Sequence, residues 1–103
     1  MFQDKLRSYN INPKTYIDIA RKRAEYLGYS PSLLTFSSNP KKKLNYADRD
    51  FGATGYKDYI IYHLTDPTTA DRKRKSYWAR AKKTADETKD KFSPASLALN
   101  ILW

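Results

Sequence analysis

A single histidine, His63, and three aspartates close in sequence, Asp48, Asp50 and Asp58, are the residues of this 103-residue chain whose types could support acid–base or metal chemistry. A Ser-His-Asp arrangement needs a histidine oriented by a carboxylate and set beside a hydroxyl, and the only support for one here is that Ser and Asp are common. With one histidine and no cysteine, neither a Cys-His pair nor a multi-histidine metal site can be assembled within one chain. His63 reads as a structural hydrogen-bonding residue at the end of an aromatic segment. The aspartates could bind a hard cation or act as acid and base. Their spacing matches no loop motif, however, and Arg49 and Lys57 offer simpler salt partners. Gly52-Ala53-Thr54-Gly55 is only superficially like a phosphate-cradling loop, because it lacks the Gly-Lys-Ser or Gly-Lys-Thr ending and a preceding buried strand. The expectation is a non-enzymatic protein with no cofactor and no metal ion.

Charge is the stronger signal. Lys and Arg number 20 against 11 Asp and Glu, which gives a net charge of +9 and a pI near 9.8. That balance favours nucleic acid, an acidic protein surface or an anionic membrane as partner. Arg72-Lys73-Arg74-Lys75 opens a cluster continued by Arg80, Lys82 and Lys83, and these residues form the predicted partner- or phosphate-binding face. No zinc-finger, homeodomain or RNA-binding aromatic motif accompanies the charge, so nucleic-acid binding here would be sequence-independent. Lys41-Lys42-Lys43 is a weaker version of the same signal and reads as edge protection or solubility at a turn. The nine Tyr, four Phe and two Trp can serve a small core or an interface. Tyr77, Trp78 and Trp103 are the predicted interface anchors.

The elements that must position these residues are those of a small single α+β domain spanning residues 1–103. Its residues 1–11 fit a short helical turn or an extended arm. Asn12-Pro13 caps a helix over residues 14–27, with Tyr16, Ile17, Ala20, Ala24 and Leu27 on one stripe and Gly28 ending it. Asp18 with Lys22 and Arg21 with Glu25 are the expected pairs on its outer face. Residues 33–36 and 42–46 form a hairpin with Lys41 to Lys43 at its tip and edge. Phe51, Gly52, Gly55 and Tyr56 form a glycine-aromatic joint in which Phe51, Tyr56, Tyr59 and Tyr62 close into the core. Residues 56–62 lean to helix.

Asp66-Pro67 starts the longest helix, from residue 68 to about 85. Ala70, Tyr77, Trp78, Ala81 and Ala85 share one of its faces, and Arg72, Lys75, Lys82 and Lys83 share the other. Arg74 falls within the apolar face, so it must pair with an acid, stack on a ring or mark a face that meets another molecule. Residues 86–91 read as a loop, and Ser93-Pro94 caps a short helix carrying Leu97, Ala98, Ile101, Leu102 and Trp103. No apolar run reaches membrane-spanning length and no secretory signal opens the chain, so a soluble intracellular protein is expected.

The runs Phe51-Gly52-x-x-Gly55-Tyr56-x-Asp58-Tyr59, Asp66-Pro67, Arg72-Lys73-Arg74-x-x-Tyr77-x-x-Arg80-Ala81 and Phe92-Ser93-Pro94-x-x-Leu97-Ala98-x-x-Ile101-Leu102-Trp103 resemble a group of small basic proteins of nucleocytoplasmic large DNA viruses, over about residues 43–103. The resemblance implies a virion component such as a minor capsid protein that cements or links capsid proteins. Its partners would be capsid or other virion proteins with acidic surfaces. Its location would be the virion, and the host cytoplasm or nucleus during assembly. The alternative is a sequence-independent DNA-binding protein that condenses or scaffolds the viral genome. The resemblance supplies no catalytic residues.

Overall fold

A computed structural model describes residues 1–103, apart from the side chain of Thr88. The first eleven residues take the helical form as α1 (Phe2–Ser8), because Phe2 and Leu6 then bury on one face. Helix α2 (Pro13–Tyr26) starts where the Asn-Pro pair predicts, with Asn12 Oδ1 accepting from the Lys14 amide at 2.9 Å. Tyr16, Ile17, Ala20 and Ala24 reach the core, whereas Leu27 lies past the helix end and is 42% exposed. The pairs expected on its outer face are replaced. Asp18 takes Lys14 at 2.6 Å, and Arg21 Nε donates to the Leu34 carbonyl at 3.0 Å. A fixed main-chain acceptor wins over an exposed glutamate, since surface pairs contribute only about 0–1 kcal/mol.

The sheet has three antiparallel strands in chain order, β1 (Leu34–Phe36), β2 (Lys42–Tyr46) and β3 (Arg49–Ala53). Leu44 stands opposite Phe36 on one side and Phe51 on the other. The β1–β2 hairpin agrees with the sequence. The third strand is new, and it moves β2 from the edge to the centre. Its turn, Ala47-Asp48, has φ of 47° and 69°. A left-handed pair of this kind matches the twist of a two-residue hairpin, and the Asp48 amide donates to Asn45 Oδ1 at 3.2 Å. Lys43, expected at an exposed tip and edge, is therefore buried at 2% exposure.

The joint divides. Phe51 is fully buried in β3, and Gly52, at φ 79°, lies where an added Cβ would stand 2.8 Å from Leu102 Cδ1. Gly55 meets nothing within 4 Å, and Tyr56 is 76% exposed rather than in the core. The physical reason is that β3 ends at Ala53, after which the chain passes over the surface, with the Tyr56 amide turned back to the Ala53 carbonyl at 3.2 Å.

Helix α3 (Tyr59–Thr65) leads directly into α4 (Pro67–Thr88), which runs a turn beyond the expected end and absorbs the first half of the predicted loop. Asp66 sits at that junction and accepts from the hydroxyls of Thr69 and Thr68, which hold its carboxyl below the usual range. Ser93 Oγ caps α5 (Pro94–Leu97), and a π-helical turn over Ala98–Leu102 follows. Leu97, Ile101 and Leu102 close the core between α2, β3 and α4.

Candidate functional site

At about 100° per residue, the basic and aromatic residues of α4 sort around a stripe of buried Ala70 and Ala85 and half-buried Ala81. Lys73, Tyr77 and Arg80 lie on one flank, Trp78 lies on the other, Arg74 falls within the stripe between Ala81 and Ala85, and Arg72, Lys75, Lys82 and Lys83 lie on the outer face. Among the described residues, none of the seven basic side chains of α4 forms an ion pair. Asp71, Asp86 and Glu87 share the helix and leave them unpaired.

The first flank opens on a cavity of about 430 Å3. It joins residues that the sequence assigned to separate groups: Gly52 and Tyr56 of the joint, Lys73 and Arg80 of the basic cluster, and Tyr77 and Trp103 of the aromatics. Lys43, Lys57 and Tyr62 also line it, and no acidic residue is among the described lining. The Lys57 and Lys73 ammonium groups lie 5.8 and 5.9 Å from the Tyr62 ring centroid. Tyr77 stacks on Trp103 at 4.3 Å and 6°. Burial pushes the Tyr77 hydroxyl above its ordinary pKa against the opposing pull of Arg80.

Trp103, expected as an interface anchor, is 9% exposed and belongs to the protein's own core. Trp78 is half-buried, with its indole N–H withdrawn from solvent and lacking an acceptor. Arg74 takes the ring-stacking outcome of its three. Its guanidinium lies 5.6 Å from the Tyr59 centroid, and its Nε donates to the Trp103 main-chain oxygen at 2.6 Å.

The aspartates are dispersed. Asp48 occupies the β2–β3 turn, Asp50 accepts from Asn45 and Ser37, which hold its carboxyl low, and Asp58 is buried at the start of α3. The suggested salt partners are also replaced, since Asp58 pairs with Lys43 and Arg49 pairs with Asp90. His63 is exposed in the last turn of α3, 5.9 Å from the Tyr59 ring.

No family model, curated protein or solved structure matches this chain. Among the described residues, no helix is long and apolar enough to cross a membrane.

The residues missed from the sequence are Lys57 and Tyr62, which line the cavity beside α4, and Arg23, which lies with Arg74 and Trp78 on its other side. Lys57 and Tyr62 lie beside the joint, and their contribution depends on how the chain crosses α4. Arg23 sits in α2, where helical spacing alone gives it an ordinary position between stripe and solvent.

Proposed function

We propose that this chain is a non-enzymatic structural protein of a virion, a minor capsid component that cements or links capsid proteins through the outer basic face of α4. The observation that supports the reading is that the seven cations of α4 form no ion pair among the described residues and outnumber the three acids of the helix, Asp71, Asp86 and Glu87. Cations crowded on one helix repel each other, and an acidic partner surface relieves that repulsion while steering the encounter. The virion setting comes from the sequence resemblance over about residues 43–103.

The test is to disrupt purified particles stepwise and follow the protein through shell and core fractions at low and high salt. Retention with emptied shells is the expected result. Changing Arg72, Lys75, Lys82 and Lys83 to Glu alters only exposed positions, so the fold should survive while incorporation is lost. Normal incorporation of that variant overturns the assigned face.

A second reading, sequence-independent DNA binding, is favoured by the acid-free cavity of Lys57, Lys73 and Arg80 beside aromatic walls. It requires release with the genome and an affinity that falls by about 0.9 logarithmic units per logarithmic unit of salt for each phosphate neutralised.

A further inference from the structure

The opposite flank of α4 faces α2 across a second cavity of about 410 Å3, a size within the roughly 300–1,000 Å3 of small-molecule sites. Two guanidinium groups dominate it. Arg23 Nε donates to the Ile101 carbonyl at 2.7 Å, and Arg74 Nε donates to the Trp103 oxygen at 2.6 Å. Both guanidinium carbons lie against the Tyr59 ring, 5.2 and 5.6 Å from its centroid. Each group is thereby fixed through its inner nitrogen and keeps its terminal amino donors for another acceptor.

No acid among the described residues pairs with either arginine. Burial, and then the charge of Arg74, hold Arg23 below the usual arginine range. Two like charges fixed near one ring, neither of them in an ion pair, favour an anion between them. Arginine forks match phosphate oxygens in both geometry and charge.

The remaining lining is Lys22, Leu27, Asn100 and two aromatic rings, Tyr26 and Trp78. Tyr26 is 91% exposed and has no ring partner in the protein, and Trp78 lines this cavity and two adjoining depressions. An exposed tyrosine beside a half-exposed indole forms a stacking platform, and any base has a face to stack on it. Asn100 adds an amide of the kind that reads base edges. A carboxylate alone would satisfy the cations and leave the rings uncovered, whereas an apolar ligand would do the reverse.

We infer that this cavity is a nucleotide site in which Arg23 and Arg74 hold the phosphate, Lys22 adds charge at the rim, and the base stacks on Trp78 and Tyr26. The site lies away from the Lys57, Lys73 and Arg80 cavity, and it stands whether or not the outer face of α4 meets a capsid protein.

Tryptophan fluorescence and calorimetry of the full chain test this with four probes: AMP, a single-stranded oligothymidylate, inorganic phosphate and a polyglutamate peptide. Saturable quenching by AMP identifies a free nucleotide, and quenching by the oligothymidylate alone identifies a nucleotide unit of single-stranded nucleic acid. Trp78→Phe should abolish the quench, and Tyr26→Ala should weaken binding by roughly five- to tenfold. Arg74→Lys keeps the charge and loses the fork, so affinity should fall with circular dichroism unchanged. Should that variant loosen the fold, Tyr26→Ala decides, because Tyr26 has no packing role to lose. Phosphate binding as tightly as AMP, displacement by polyglutamate, no response to any probe, or unchanged affinity in Tyr26→Ala overturns the assignment.

Discussion

Lys43 Nζ and Asp58 Oδ2 meet at 2.8 Å with their side chains 3% and 0% exposed. The same carboxylate accepts from the Tyr16 hydroxyl at 2.5 Å, and its other oxygen caps α3 by accepting from the Ile61 amide at 2.9 Å. The Lys43 ammonium also lies 5.5 Å from the Phe2 ring centroid. One buried ion pair thus connects the central strand with α1, α2 and α3. An isolated charge at this depth would cost several kcal/mol, so each partner offsets the burial of the other.

Lys43→Met should therefore destabilise the protein by about 3–5 kcal/mol, because it strands a buried carboxylate. Adding Asp58→Asn, which keeps a capping oxygen, should restore part of the loss. Urea denaturation of the single and double variants measures both effects, and full stability of the single variant would show that the pair contributes nothing.

Gly52→Ala and Gly55→Ala should separate sharply. The first adds a Cβ at φ 79° only 2.8 Å from Leu102 and 3.2 Å from Lys43, while the second enters open space. The expected losses are above about 1 kcal/mol for Gly52 and within about 0.5 kcal/mol of zero for Gly55. Equal melting temperatures for the two variants would refute the close approach.

Burial, and then the Asp58 charge, raise the Tyr16 hydroxyl well above the ordinary tyrosine pKa. A folded pKa raised above the unfolded value gives stability that is complete below about pH 10 and declines as pH rises toward the folded pKa. The urea midpoint should accordingly fall as pH rises above about 10, and Tyr16→Phe should flatten that fall. An alkaline limb identical in the two proteins would assign the loss to other groups.

Trp103→Ala removes a ring that is 9% exposed and stacked on Tyr77, and should cost about 3–5 kcal/mol. Trp78→Ala, at a half-buried position, should cost less. Denaturant midpoints in the reverse order would contradict the core assignment of Trp103.

Much of this architecture is legible because its signals are local. Asn12-Pro13 and Ser93-Pro94 start helices through contacts with amides only a few residues away, and the β1–β2 hairpin follows from alternation and a turn cluster. Where the sequence misleads, the deciding partner is distant. Lys43 reads as an edge lysine until β3 covers that edge and Asp58, 15 residues later, reaches its ammonium. Tyr56 and Gly55 share a stretch with Phe51, but only β3 pairing decides which of them are buried. On α4 the helical wheel sorts the residues correctly, yet it cannot show that Lys57, Tyr62 and Arg23 come to stand beside them, because those contacts depend on how α2 and the chain after β3 cross the helix.

The position of Leu97, Ile101, Leu102 and Trp103 in the core carries a consequence for synthesis. Those side chains complete a core whose other walls come from α1, α2, the sheet and α3. A ribosome delivers them after every other described segment, so the nascent chain holds an unfilled apolar cleft until residue 103 has emerged. A product stopped short of residue 97 would keep that cleft open and present it to chaperones and proteases.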